Sequence, residues 1–253
     1  MTTSTAAQLW VRRFHPVPEA PVRLVCFPHA GGSASYFHPV SARLSPAAEV
    51  LAVQYPGRQD RHREPMIDDL AALADTLADV FDDGDGRPTA FFGHSMGATL
   101  AFEVGRRLEA RGTELGGLFV SGRRAPITRR DEREHLKDDR GLLDAMKSLN
   151  GTEAGLLDDE DIVRMVLPAV RNDYKAAETY RYVPGPDVSC PVVALIGDED
   201  PKVTVAEAER WREHTSGAFE LKTFRGGHFY LNVHHAEVNR LLAESLAVIA
   251  TGG

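Results

Sequence analysis

Thr89-Ala-Phe-Phe-Gly-His-Ser95-Met-Gly-Ala-Thr-Leu-Ala-Phe102 changes character at its middle. Ala90-Phe91-Phe92 is a short apolar run of the kind that forms a buried strand, and from Met96 to Arg111 the pattern is helical, closed by Gly112. Between them, Gly93-His94-Ser95-Met96-Gly97 fits Gly-x-Ser-x-Gly. A strand passing through such a string into a helix makes a sharp turn that projects the serine hydroxyl from the sheet edge. The flanking glycines are needed because a Cβ there would collide. A plain Ser-Gly turn is the bland reading of the string alone; the strand before it and the helix after it make Ser95 a candidate nucleophile.

Outward from this turn the same alternation repeats. Val22 to Phe27, Glu49 to Gln54, Gly116 to Ser121, Pro191 to Gly197 and Ala218 to Phe224 read as strands. Ile67, Leu70, Ala71, Ala74, Leu77, Ala78 and Phe81 recur at helical spacing, with aspartates on the other face, and Thr204 to His214 and His234 to Ile249 read as further helices. Strands that are apolar throughout, alternating with helices, imply an α/β protein with a parallel sheet covered on both faces. Residues 123–187 break the alternation and read as an inserted helical segment. Within it Ile162, Val163, Val166, Leu167 and Val170 follow the acidic run Asp158 to Asp161, which suits a helix N-terminus, and Pro168 is expected to kink or split that helix.

A serine hydroxyl needs a base, and the base needs an orienting carboxylate, in the chain order Ser, Asp/Glu, His. Gly197-Asp198-Glu199-Asp200-Pro201 follows a strand, so its acids lie on the C-terminal rim of the sheet. Three carboxylates compete; Asp200 is the choice, with Asp198 and Glu199 read as a solvated turn. Gly226-Gly227-His228 follows the last strand and puts His228 on the same rim. The oxyanion donors expected are the backbone N–H groups of Met96, next to the nucleophile, and of Ala30, in the loop Phe27-Pro28-His29-Ala30-Gly31-Gly32. His29 precedes the serine and reads as loop-shaping. His234 and His235 read as a surface pair, and no metal or cofactor site is called for.

Composition bounds the alternatives. With 253 residues, 43% hydrophobic and 26% charged, the chain is long enough for one large α/β domain spanning 1–253, and disorder and coiled coil are excluded. A net charge of −8 has the wrong sign for nucleic acid as a partner. The longest uncharged run, Leu24 to Ala42, contains two prolines, two glycines and two histidines and is no membrane span. The apolar cluster at Leu9 to Val11 precedes Arg12 and Arg13, which inverts a secretory signal and points to a cytoplasmic protein. About 20 residues are expected before the first strand. Cys26 and Cys190 sit in apolar runs and read as inert thiols. No exposed apolar stripe is evident, which favours a monomer.

Phe-Pro-His-Ala-Gly-Gly (27–32), Tyr-Pro-Gly-Arg (55–58), Gly-His-Ser-Met-Gly (93–97), Gly-Asp-Glu-Asp (197–200) and Gly-Gly-His-Phe (226–229) together resemble the type II thioesterases of polyketide and nonribosomal peptide synthesis. These are free-standing α/β-hydrolases. Pro168-Ala-Val-Arg-Asn-Asp173 also resembles the lid of this family. The resemblance implies hydrolysis of acyl groups from the phosphopantetheine arm of an acyl carrier protein or peptidyl carrier protein, an editing reaction that clears stalled or misprimed synthases. It further implies Ser95 as nucleophile, His228 as base, Asp200 as its partner, Met96 and Ala30 as oxyanion donors, and residues 123–187 as a lid over an acyl chamber. Carrier proteins are typically acidic, so Arg123, Arg124, Arg129 and Arg130 are candidates for steering their docking, against the plainer reading of a solvated, charge-dense loop. The alternatives are a small-molecule serine esterase, a non-catalytic carrier-binding subunit and a terminating cyclase domain of a synthase.

Overall fold

The computed structural model describes residues 5–82, 85–149 and 159–252. Its strands are β1 (Val11–Arg12), β2 (Arg23–Phe27), β3 (Glu49–Val53), β4 (Thr89–His94), β5 (Gly117–Ser121), β6 (Val192–Gly197) and β7 (Phe219–Phe224). They form one sheet in the order β1-β3-β2-β4-β5-β6-β7. Every pairing is parallel except β1 with β3, where Val11 faces Val53. The edge strand β1 corrects the expectation that some 20 residues precede the first strand; two residues carry no alternation to read. The other edge strand, β7, is only partly buried and carries Glu220 and Lys222, so the strands are not uniformly apolar. Charges on a sheet edge discourage pairing with another chain.

The helices are α1 (Thr5–Trp10), α2 (His38–Leu44), α3 (Leu70–Phe81), α4 (Met96–Ala110), α5 (Asp139–Ser148), α6 (Glu160–Thr179), α7 (Val205–Glu209) and α8 (His235–Ala250). Because successive side chains of a strand point to opposite faces, β2 feeds two cores. Val25 and Phe27 pack with Leu73 and Leu77 of α3 and Leu100 and Phe102 of α4. Leu24 and Cys26 pack on the other face with Leu44 of α2 and Leu242 and Leu246 of α8. Each fully buried Leu or Phe contributes about 1.5–3 kcal/mol, and β4 has such layers on both sides, which makes it a rigid support for the turn at its end. The helix expected from Ile67 begins at Leu70, because the Asp69 carboxylate caps the Ala72 N–H at 2.9 Å. Thr204 and Glu207 form a reciprocal capping box that starts α7, which then tightens into a 3₁₀ turn over Arg210–His214.

Between β5 and β6 the described residues hold no strand, only a 3₁₀ turn (Glu134–Leu136), α5 and α6. Asp159 caps α6, accepting from the N–H groups of Asp161 and Ile162, while Asp158 lies outside the described residues. Pro168 does not split α6, which runs on to Thr179. The carbonyl that loses its partner is that of Arg164, on the same exposed face as Pro168, where water can donate to it. Leu142, Leu167 and Val170 give α5 and α6 a small core of their own. No described helix is long and apolar enough to cross a membrane.

Candidate active site

Ser95 directly follows β4 with φ 55° and ψ −119°, a left-handed conformation unusual for a residue with a Cβ. Such a backbone costs about 1–3 kcal/mol and persists because its surroundings over-determine it. The Ser95 N–H donates to the Ser121 carbonyl at 2.8 Å. A Cβ on Gly93 would stand 2.1 Å from the Gly97 carbonyl oxygen, and one on Gly97 would stand 2.1 Å from that of Phe27. The turn is thus wedged between its own helix and the loop after β2. Met96 is the first residue of α4, so its N–H has no acceptor within the helix.

The loops after β6 and β7 meet on the same rim. His228 Nδ1 donates to both Asp200 oxygens, at 3.0 and 2.8 Å, with both side chains buried. The Lys202 N–H holds the carboxylate from behind at 2.8 Å. Asp198 instead accepts from the Gly226 N–H at 2.8 Å, tying the two loops together, and Glu199 is exposed. Of the three acids, Asp200 is the one on His228. Against the His228 ring lie His94 and Phe229, with centroids at 4.9 and 5.2 Å. His94 is fixed by Ser121 Oγ at 2.9 Å, which contacts the Tyr230 hydroxyl at 2.7 Å. Burial, then repulsion from His228, pushes His29 down to about 3 and His94 well below the ordinary imidazole range, so both rings are neutral.

Ser95, His228, Ala30 and His29 open into one cavity of about 660 Å³. Its far wall is apolar, built by Met146 of α5, by Leu149 just after it, and by Ile162, Val166 and Val170 of α6. The near wall is the 29–36 loop and the Gly57-Arg58-Gln59 turn.

One buried ion pair holds these walls together, and sequence reasoning gave it no role. The Arg58 guanidinium forks onto Asp173 of α6 at 2.6 and 2.9 Å, and the same carboxylate accepts from the Gly31 N–H at 2.8 Å. Arg58 also donates to the Gly32 carbonyl at 3.0 Å. Burial works against the Arg58 charge, but Asp173 outweighs it and holds the guanidinium above its ordinary range. Asp173 thereby fixes the peptide next to Ala30. The strings Tyr-Pro-Gly-Arg and Asn-Asp carried the signal, yet nothing in them says that they meet.

The arginines proposed for carrier docking need correction. Arg123 is half-buried and donates to Thr99 Oγ1 at 2.9 Å, and Arg124 is buried on Glu132 at 2.5 Å. Arg130 is forked onto Glu207. Only Arg129 of the four is exposed. Arg124 cannot serve as a free surface charge, because its guanidinium is taken by an internal carboxylate, whereas the acceptors on Arg123 are neutral.

A serine on a strained strand-to-helix turn, beside a His–carboxylate pair on the C-terminal rim of a mostly parallel sheet, defines an α/β-hydrolase. The chain belongs to the thioesterase family, whose domain model matches residues 22–246. It is 54% identical over 245 residues to a probable cadicidin biosynthesis thioesterase of Streptomyces griseus, covering 97% of this chain and 68% of that one. Thioesterase PikA5 of Streptomyces venezuelae is 51% identical over 243 residues, covering 95% and 86% of the two chains. Among solved structures, the type II thioesterase BorB from the borrelidin biosynthetic cluster superposes with a TM-score of 0.89 at 51% identity, covering 94% of this chain and 98% of that one. These relatives include a type II thioesterase of a biosynthetic cluster, the class that the motifs resemble.

Proposed function

We propose that the chain hydrolyses acyl thioesters from the phosphopantetheine arm of acyl or peptidyl carrier proteins, clearing stalled or misprimed synthases, through the triad Ser95, His228 and Asp200. The observation that carries this reading is the opening of Ser95 and His228 into one apolar cavity, with His228 held by Asp200. Ser95 Oγ attacks the thioester carbonyl and its proton passes to His228 Nε2, while Asp200 holds the ring and stabilises the imidazolium. The Met96 and Ala30 N–H groups stabilise the oxyanion. Collapse expels the thiol, which takes the proton from His228 and leaves an acyl-serine. Water then attacks with His228 again as base, freeing a carboxylic acid and Ser95. No cofactor enters this scheme.

Residues 123–187 act as a lid on the single domain, and their apolar wall supports an acyl group as the occupant. A cavity of about 660 Å³ suits a medium-sized acyl group. The enzyme acts as a monomer in the cytoplasm, beside its carrier substrates. The test is to load one carrier with acetyl, propionyl and longer acyl groups and follow its intact mass. Release by wild type and not by Ser95→Ala is the expected result. Turnover of simple aryl esters without release from the carrier would replace this reading with a general serine esterase.

A further inference from the structure

Beyond the acyl cavity, a second cavity of about 280 Å³ opens between residues 123–130, which follow β5, and residues 177–184, at the end of α6 and just after it. Five of its lining side chains are arginines: Arg123, Arg124, Arg129, Arg130 and Arg181. Two are neutralised, Arg124 by Glu132 and Arg130 by Glu207. The other three are not paired with carboxylates among the described residues. Arg123 donates only to Thr99 Oγ1 and the Ala177 carbonyl. Arg181 donates only to the Glu178 and Tyr180 carbonyls, at 2.8 and 2.7 Å, and Arg129 is exposed. Glu178, the one carboxylate among the described lining residues, is taken up by His135 and by the N–H groups of Glu134 and His135. Burial and the neighbouring Arg124 press the Arg123 guanidinium down to about 10, with Glu132 and Glu178 offsetting only part of that. In a chain of net charge −8 this is a local excess of cations.

Guanidinium forks match the oxygens of a phosphate ester, and a cavity this small suits a phosphoryl group better than an acyl chain. The cavity also adjoins the catalytic turn. Thr99 lies four residues after Ser95, about 6 Å along α4. Gly122, next to Arg123, is packed so closely that a Cβ on it would stand 3.2 Å from His228 Cε1. We propose that this cavity binds the phosphate ester of a pantetheine-bearing substrate, whether the arm of a carrier protein or an acyl-CoA. This rests on the thioesterase reading above and adds a second recognition site to it.

The binding test does not depend on catalysis. Full-length Ser95→Ala protein is titrated with 4′-phosphopantetheine and with pantetheine by calorimetry, alone and with Arg129→Gln/Arg181→Gln added. Both arginines are exposed, so the variant keeps its core. The phosphorylated probe should bind at least about tenfold more tightly than pantetheine, and the double substitution should remove most of that advantage. Equal binding of the two probes, or a phosphate preference that survives the substitution, overturns the proposal. In the catalytically intact background, the double variant should raise KM and leave kcat unchanged. A rise for carrier-bound acyl groups alone assigns the arm as the source, and a rise for acyl-CoA alone assigns the free thioester. No rise with either substrate overturns the proposal. Turnover surviving in Ser95→Ala would sink the triad while leaving the binding result standing.

Discussion

Asp173→Ala removes the acceptor of a buried guanidinium and of a backbone N–H in one step. In the native protein Arg58 and Asp173 are 8% and 3% exposed, and three donor contacts within 2.9 Å converge on the carboxylate. Breaking a buried pair from one side leaves the other charge uncompensated and costs about 3–5 kcal/mol. Part of the 1–3 kcal/mol expected for the orphaned Gly31 N–H overlaps with that figure, so about 3–5 kcal/mol is the expected total. For a domain of this size each kcal/mol shifts Tm by about 2–4 °C, which gives a fall of about 6–20 °C. Urea unfolding followed by circular dichroism, with a thermal melt in parallel, measures both. Asp173→Asn keeps an acceptor for Gly31 and should fold better than the alanine variant, while lowering kcat because the loop carrying Ala30 loses its charged anchor. Arg58→Met/Asp173→Leu, with neither charge present, should recover much of the loss. If Asp173→Ala costs less than about 1 kcal/mol, the pair does not hold the lid to the loop and the reasoning fails.

Three further predictions come from the same geometry. His29 and His94 are kept neutral in the fold but protonate in the unfolded chain below about pH 6.5, so the unfolded state binds more protons and stability falls as pH drops from there toward about 3. His29→Gln should therefore lose about 2 kcal/mol less than wild type between pH 8 and pH 5 in urea melts, and an identical pH slope would refute the burial argument. Ser95→Gly should match or exceed Ser95→Ala in stability by about 1 kcal/mol, since glycine relieves the positive φ; a clearly more stable alanine variant would show that the turn is unstrained. Burial pushes the Cys26 thiol up and Cys190 up to about 12, so neither should react with a thiol reagent at pH 8 until the protein unfolds, and fast native labelling would contradict their burial.

The turn at Ser95 was legible because strand, glycines and helix are contiguous, and each local signal agrees with the tertiary result. The rim loops were legible for a related reason: a carboxylate or histidine directly after an apolar strand has one place to go in a parallel sheet. Pattern alone favours Asp200 over Asp198 and Glu199, and it takes the fold to bring Asp198 onto the Gly226 N–H. What was not legible depends on long-range pairing. β1 is too short to carry a period and exists because β3 offers it an edge. Arg58 and Asp173 are 115 residues apart, and neither string names its partner. Arg123 and Arg124 read as surface charges because a charge count says nothing about which acceptors the fold brings to them. Pro168 predicts a kink or split, and the exposed face of α6 accommodates it without a split.

The central claim is that acyl groups pass through Ser95. Wild-type protein mixed with excess acylated carrier, quenched within milliseconds to seconds, digested and mapped by mass, tests it most directly. The account predicts the acyl mass on the peptide that contains Ser95, decaying as free acid appears, and no acylated peptide from Ser95→Ala. Acid released at the full rate with Ser95 never modified, or with the acyl group on another residue, would contradict it.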